Sequence, residues 1–324
     1  MATVLDRNVL WRNRGDGTFE DVRDPALVGP HVAWSCVAED VNHDGFIDVM
    51  RSSCYQEWFT DPQRGGLALT AGEEAHYKEG TVLLLNSASG DFEDVTAESE
   101  LLPGPEHQGL ECTLGFQIGD LDLDGNLDVL LGNGGTVSKD TPGLNRLISL
   151  VPDGVQGVRS VDRTEALGER GEGQRSHGSL FFDYDQDDDI DLFIGNGGFS
   201  LRRVEPNQLY RNQSASTPNW VKVNLQGTVS NRDGVGSLER VADAPPGEQM
   251  WQVYRRQSLS SGFMSTVPRT LVVGLGSRPG PYHVSVTWPG GVVQVISNVD
   301  SRSELLVVEA SGEDGPRGAV DGIR

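Results

Sequence analysis

Apolar residues fall along this chain in short runs that stop at glycine, proline or asparagine, not in long helical stripes. Asp128-Val-Leu-Leu-Gly-Asn133 and Asp191-Leu-Phe-Ile-Gly-Asn196 read as short buried strands, each ending at a glycine turn. Asn219-Trp-Val-Lys-Val-Asn-Leu-Gln226 alternates apolar and polar positions, as a half-buried strand does. Val284-Ser-Val-Thr287 and Leu305-Leu-Val-Val308 predict two further strands. One run recurs as Asn8-Val-Leu-Trp-Arg-Asn13, Thr81-Val-Leu-Leu-Leu-Asn86, Asn145-Arg-Leu-Ile-Ser-Leu150 and Asn207-Gln-Leu-Tyr-Arg-Asn212, at spacings of 73, 64 and 62. It is followed by Phe19-Glu-Asp-Val22, Phe92-Glu-Asp-Val95 and, more weakly, Val161-Asp-Arg-Thr164. A unit of a little over 60 residues built from short strands and turns predicts an all-β fold, a β-propeller or related radial array. The long first interval holds an insertion near 51–80, rich in Gly, Glu and aromatic residues.

The polar positions carry the chemistry. Three acidic loops stand in register: Asp40-Val-Asn42-His-Asp44-Gly45-Phe46-Ile-Asp48, Asp120-Leu-Asp122-Leu-Asp124-Gly125-Asn126-Leu-Asp128 and Asp183-Tyr-Asp185-Gln-Asp187-Asp188-Asp189-Ile-Asp191. Each sets oxygen side chains at positions 1, 3, 5 and 9 and a backbone carbonyl at position 7, from Phe46, Asn126 or Asp189. Hard divalent cations want this: Ca²⁺ takes about six to eight oxygens at roughly 2.3–2.6 Å. Crowded carboxylates repel one another, and a bound cation removes the repulsion. Glycine at position 6 permits a sharp turn; the third loop has Asp188 there, a residue type that tolerates left-handed backbone. An EF-hand needs a chelating Glu at position 12. Arg51, Leu131 and Ile194 occupy it, so these are strand-connecting loops closed by the position-9 Asp. The expectation is about three Ca²⁺, structural and not catalytic.

These repeats resemble the FG-GAP or VCBS family of propeller blades. The resemblance rests on the D-x-D-x-D-G-x-x-D loops and on the Asn13-Arg-Gly15-Asp16-Gly17-Thr18-Phe19 turn, and it covers roughly residues 8–212. It implies that each loop joins the first two strands of a blade and holds one Ca²⁺. The remainder resembles the ASPIC/UnbV domain, which follows such repeats in proteins similar to cartilage acidic protein. Asn219 to Asp233, Trp288-Pro-Gly-Gly291 and the closing strand carry that likeness, whereas Gly262-Phe-Met-Ser-Thr266 departs from the usual pattern. The expected architecture is an incomplete β-propeller over 1–217, about three and a half blades, then a small antiparallel β domain over 218–309 and a disordered tail over 310–324. Closed propellers usually have about four to eight blades. Two readings of the shortfall stay open: a fragment of a longer chain, or a short arc closed by its own C-terminal domain or by a second subunit.

Charge fits this picture. The 324 residues carry 26 Lys and Arg against 48 Asp and Glu, a net −22. The loops' side-chain ligands include eleven carboxylates, half of that net charge. The acidity is therefore largely a metal-site feature. The lack of a dense basic stripe argues against nucleic acid. No apolar run approaches the ~20 residues of a membrane span, and Met1-Ala-Thr-Val-Leu-Asp6 has no signal-peptide pattern. Loops of this type suit millimolar calcium, so an extracellular or periplasmic location is expected. A protein or carbohydrate ligand is the expected partner of a recognition or adhesion module. The alternative is a tailoring or cyclising enzyme of natural-product biosynthesis, implied by resemblance to UnbV proteins. A buried pocket with a perturbed titratable group outside the loops would favour it.

The remaining motifs have plain readings. Arg14-Gly15-Asp16 lies inside the repeat's own turn. Asn212-Gln-Ser214 is a glycosylation sequon, relevant in a secreted eukaryotic protein. Ser176-His177 sits on a repeat strand, with Gly178 standing where Gly115 and Ser35 stand in the other repeats. His31, His43, His76, His107 and His283 have no ligand spacing. Trp34, Tyr55, Trp58 and Phe59 form either insertion core or a stacking surface. Cys36, Cys54 and Cys112 fit no metal spacing; they read as buried small residues, with a Cys36–Cys54 disulfide as the other option.

Overall fold

The computed structural model describes residues 9–22, 24, 26, 33–53, 81–101, 112–134, 144–154, 157–168, 175–197, 205–214, 218–245, 251–262 and 265–310. Most of the 51–80 insertion, Tyr55, Trp58, Phe59, Cys54, His31, His76, His107 and the 311–324 tail lie outside the described residues. The architecture is all-β, as expected, with six sheets among the described residues and none closed into a barrel.

The N-terminal two-thirds is a propeller-like arc. β1 (Leu10–Asn13) and β2 (Phe19–Val22) form an antiparallel pair. β3 (Ala33–Glu39), β4 (Asp48–Ser53), β5 (Val82–Asn86) and β6 (Phe92–Asp94) make the next sheet in consecutive order. β7 (Thr113–Gly119), β8 (Leu127–Asn133), β9 (Arg146–Asp153) and β10 (Gly157–Asp162) repeat that order. β11 (Ser176–Phe182), β12 (Asp191–Asn196) and β13 (Gln208–Tyr210) make a third, three-stranded sheet. The acidic loops join β3 to β4, β7 to β8 and β11 to β12, and the run that first appears as Asn8–Asn13 supplies the third strand of each of these sheets. β1 and β2 are thus a half-unit, matching the third and fourth strands of the later sheets.

The core lies between neighbouring sheets. Val37, Met50 and Leu83 of one sheet bury against Phe116, Val129 and Ile148 of the next. Leu130 and Leu147 bury against Phe181, Leu192 and Ile194 of the third. First strands approach closely at β7 and β11: a Cβ on Gly115 would collide with the His177 carbonyl. That contact explains a glycine on an otherwise apolar buried strand.

The C-terminal part is a two-sheet sandwich. β17 (Leu271–Gly276), β14 (Asn219–Gln226) and β20 (Ser303–Val308) form one sheet. β16 (Gln252–Arg256), β15 (Leu238–Ala242), β18 (Tyr282–Thr287) and β19 (Val293–Val299) form the other. Their inner faces share Val221, Val223, Val253, Val273, Tyr282, Trp288 and Leu305. One pairing is parallel, β14 with β20, because the first and last strands of the unit lie side by side. Glu309, just past β20, accepts hydrogen bonds from the Thr228, Val229 and Ser230 amides and the Ser230 hydroxyl. That ties the end of the sandwich to the turn after β14.

This sandwich closes over the arc. Described residues after β16 touch the first strands of the arc's three larger sheets. Gly262 lies against Ser35 of β3 and Phe116 of β7, the Ser261 hydroxyl bonds Gln117 Oε1 at 2.7 Å, and the Ser179 amide of β11 donates to Ser265 Oγ at 3.0 Å. Gly262 and Ser265, from the stretch whose role the sequence leaves in doubt, thus lie against the inner edge. The cysteines differ from expectation. Cys36 is an exposed free thiol, because its side chain leaves the core face of β3. Cys112 is disulfide-bonded, which removes the Cys36–Cys54 option.

Candidate metal loops at the interdomain seam

The three loops share one backbone design. Positions 4 and 6 are both left-handed: His43 (φ 63) and Gly45 (φ 91), Leu123 (φ 56) and Gly125 (φ 99), Gln186 (φ 62) and Asp188 (φ 72). The position-1 carboxylate accepts the position-6 amide in each loop: Asp40 from Gly45 at 2.9 Å, Asp120 from Gly125 at 3.1 Å, Asp183 from Asp188 at 3.1 Å. The position-5 carboxylate accepts the position-7 amide, as Asp44 does from Phe46, Asp124 from Asn126 and Asp187 from Asp189.

The position-9 Asp fastens each loop. One oxygen accepts the position-2 amide, of Val41, Leu121 or Tyr184. The other reaches the third strand: the Asn86 amide to Asp48, the Ser149 hydroxyl to Asp128, the Asn212 amide to Asp191. Asn86 and Asn212 then return their side-chain amides to the Ile47 and Ile190 carbonyls. This is why the recurring run ends in Asn in those two repeats.

Among the described residues, two clusters have the spacing to hold a metal ion: Asp120, Asp122 and Asp124, and Asp183, Asp185 and Asp187, with one oxygen from each lying within 4.8 Å of the others. The first loop brings Asp40 and Asp44 together with Asn42 at position 3. Burial pushes Asp40 up to about 6 and Asp48 and Asp128 up to about 7, and holds Asp120 well above the usual carboxylate range. Asp120 is 6% exposed, and its Oδ1 has no hydrogen-bond partner. A divalent cation there would remove the cost of these crowded, desolvated oxygens. The donor set of the second loop therefore fits a hard cation. The third loop fits less well. Arg211 contacts Asp185 at 2.7 Å and Asp187 at 2.8 Å, and its hydrogen bond holds Asp187 below the usual range. At the equivalent place on the third strand the other sheets carry Leu85 and Ser149. Lys222 adds an ammonium 2.6 Å from Asp188.

Lys222 belongs to β14, so the C-terminal sandwich reaches these loops. The Gly274 amide donates to Asp120 Oδ2 at 2.9 Å and the Gly276 amide to the Leu123 carbonyl at 2.9 Å. Arg255 donates to the Gly125 carbonyl at 2.7 Å. The Tyr254 ring lies 3.4 Å from where a Gly45 Cβ would stand, and the Trp251 ring 3.0 Å from that of Gly125. Glycine at position 6 thus serves a close approach as well as a turn.

Two stretches of the chain match known families. Residues 2–50 match the model of the FG-GAP-like repeat and residues 227–314 that of ASPIC and UnbV. The chain carries FG-GAP-like and ASPIC/UnbV domains. It is 24% identical over 321 residues to cartilage acidic protein 1 of Mus musculus and of Homo sapiens, covering 95% of this chain. It spans only 42% and 41% of the length of those two relatives. The FG-GAP-like match includes the half-unit and the first acidic loop. The second and third loops lie beyond it and share its backbone design.

Between the FG-GAP-like arc and the ASPIC/UnbV sandwich lies a cleft of about 570 Å³. Leu180, Phe181, Leu271 and Val272 give it apolar walls, and Glu39, Arg255, Arg256 and Lys222 give it charge. Burial pushes Glu39 up to about 7, against the pull of Arg255. Glu39 directly precedes Asp40, so this perturbed carboxyl adjoins the first loop.

Other sequence motifs resolve simply. In Arg14-Gly15-Asp16, Arg14 pairs with Glu20 at 3.2 Å and Asp16 bonds Thr18, so both are held in their hairpin. The Ser176 hydroxyl is bonded to Asn196 and not to His177, which contacts the Arg175 carbonyl. Asn212 uses its side-chain amide inside the loop, which argues against a glycan there. Among the described residues no helix is long and apolar enough to cross a membrane.

Proposed function

We propose that the chain is a calcium-stabilised recognition or adhesion module that works outside the cytoplasm, extracellularly or in the periplasm. The ligands would be Asp40, Asn42, Asp44, the Phe46 carbonyl and Asp48; Asp120, Asp122, Asp124, the Asn126 carbonyl and Asp128; and Asp183, Asp185, Asp187, the Asp189 carbonyl and Asp191. About three ions would bind, the third only after Arg211 gives up Asp185 and Asp187. The observation that carries this reading is the buried, unpartnered Oδ1 of Asp120 within an aspartate triplet. The bound ion would supply charge neutralisation and cross-linking of each loop. Family likeness supports recognition as the role, with a protein or carbohydrate as ligand. The Cys112 disulfide suits an oxidising compartment. Thermal melting tests the metal assignment. EDTA should lower the melting temperature and Ca²⁺ restore it, because binding to the folded state alone stabilises it. A melt indifferent to both would refute the assignment.

A second reading is enzymatic, favoured by the cleft with its apolar walls and by Glu39, Arg255 and Arg256 along its rim. It predicts that a small molecule is retained in the cleft and converted, and that Glu39→Gln blocks conversion. A cleft that retains nothing in native mass spectrometry counts against it.

A further inference from the structure

Asp120 faces two ways. Its Oδ2 accepts the Gly125 amide from its own loop and the Gly274 amide from β17 of the ASPIC/UnbV domain. Its Oδ1 is buried, has no partner, and belongs to the triplet with Asp122 and Asp124. The same loop is gripped at three further atoms by that domain: the Leu123 carbonyl by the Gly276 amide, the Gly125 carbonyl by Arg255, and the Asp124 carbonyl by Arg278 at 3.5 Å. Gly274 has no room for a side chain, since a Cβ would collide with Asp120 Oδ2 and the Leu123 backbone. Arg278 is in turn held over the Trp251 ring, 4.1 Å from its centroid.

We propose that the divalent-cation site of the second acidic loop is an interdomain site: the ASPIC/UnbV domain orients its first ligand, Asp120, through the Gly274 amide. This rests on the calcium reading above. Gly274 is a positioning residue, because its amide touches the ligand and not the ion. A carboxylate with one oxygen pinned by two amides presents the other in a fixed direction, so less ordering remains to be done when the cation arrives. Coupling is reciprocal: a site that binds calcium better when the domains are docked must dock the domains better when calcium is bound. The first loop meets the domain through the Tyr254 ring and the third through Lys222, so the backbone-amide contact to a position-1 carboxylate is a feature of the second loop among the described residues.

Hydrogen–deuterium exchange on the full chain tests this, with Ca²⁺ alone as the probe and binding followed in parallel by titration calorimetry. Calcium should slow exchange in the peptide covering 271–278 by roughly tenfold, in line with a typical coupling factor. Asp124→Ala should abolish that slowing while the other loops still take up calcium. Gly274→Ala, which leaves every ligand residue in place but sets a Cβ against Asp120 Oδ2 and the Leu123 backbone, should weaken binding at one site by a similar factor. Calcium uptake in calorimetry with unchanged exchange at 271–278 would overturn the interdomain site and leave the calcium reading standing. An absence of calcium uptake would overturn both.

Discussion

Closure of the arc by the C-terminal domain is most sharply tested at Gly262. Its φ of +118° lies where L-residues rarely go, and its hydrogen side faces Ser35 Oγ, with Phe116 Cβ and O both 3.2 Å from an added Cβ. The Ser35 hydroxyl can rotate away, whereas the Phe116 backbone belongs to β7 and cannot. Gly262→Ala therefore meets two costs. The backbone strain is about 1–3 kcal/mol, and overpacking against β7 adds about 1–3 kcal/mol. At roughly 2–4 °C per kcal/mol for domains of this size, the melting temperature should fall by about 4–24 °C. The loss should come with faster protease cleavage between 257 and 270, because the strained segment leaves the inner strands. The assay is a thermal melt beside limited proteolysis, both in saturating Ca²⁺ so that the loops are constant. A melt within about 1 °C of wild type, with an unchanged cleavage pattern, would refute the claim that this segment closes the arc.

Three further outcomes are expected. Arg211→Leu, which copies Leu85 at the equivalent place beside the first acidic loop, should raise calcium affinity at the weakest site while leaving the other sites unchanged; equal affinities in titration calorimetry would show that the guanidinium is no competitor. Lys222→Met should make the interdomain seam more sensitive to EDTA, read as a larger EDTA-induced drop in melting temperature than in wild type. Glu309→Gln should cost about 1–3 kcal/mol at neutral pH, because an ionised acceptor of several hydrogen bonds is weakened. Burial raises the Glu309 carboxyl, but the Ser230 hydroxyl and the Ser230, Val229 and Thr228 amides outweigh it and leave it below its usual range. A depressed carboxyl stabilises the fold above the unfolded-state value and loses that contribution as pH falls through the folded one. The gap between wild type and Glu309→Gln should therefore close as pH drops below the ordinary glutamate range, and a pH-independent gap would contradict it.

Much of the arc was legible because its signals are local. The runs ending in Gly-Asn became β8 and β12, and the recurring third-strand run became β5, β9 and β13. Positions 1, 3, 5 and 9 of the loops could be read from residue type alone. Position 4 could not: His43, Leu123 and Gln186 are left-handed without being Gly, Asn or Asp. What sets them is the closed loop, not their own propensity. The terminal Asn of the recurring run was visible as a pattern, but its bond to the position-8 carbonyl spans about 40 residues in the first loop. The cations of the third loop were hidden for the same reason, with Arg211 24 residues from Asp187 and Lys222 34 from Asp188. The covering segment showed in sequence only as a departure at Gly262-Phe-Met-Ser-Thr266, because a segment shaped to fit one arc carries no periodic pattern.

The charge argument changes once the seam is known. From composition, eleven loop carboxylates look like a deficit that calcium alone would offset. In the structure the second loop already faces Arg255 and Arg278, and the third faces Arg211 and Lys222. Three of those four cations come from the ASPIC/UnbV domain. These docking cations and a bound metal ion relieve the same repulsion, an effect opposite in sign to the orienting effect of the Gly274 amide on Asp120. The contributions of the cationic side chains and of calcium should therefore not add: where a docking cation faces a loop, calcium has less repulsion left to relieve. Removing docking cations should accordingly enlarge the calcium-dependent part of stability even as total stability falls. A double-mutant cycle between Lys222→Met and calcium removal measures this directly. Strict additivity within about 0.3–0.5 kcal/mol would mean that ions and domain act on separate parts of the molecule, and that the loops serve only one of the two.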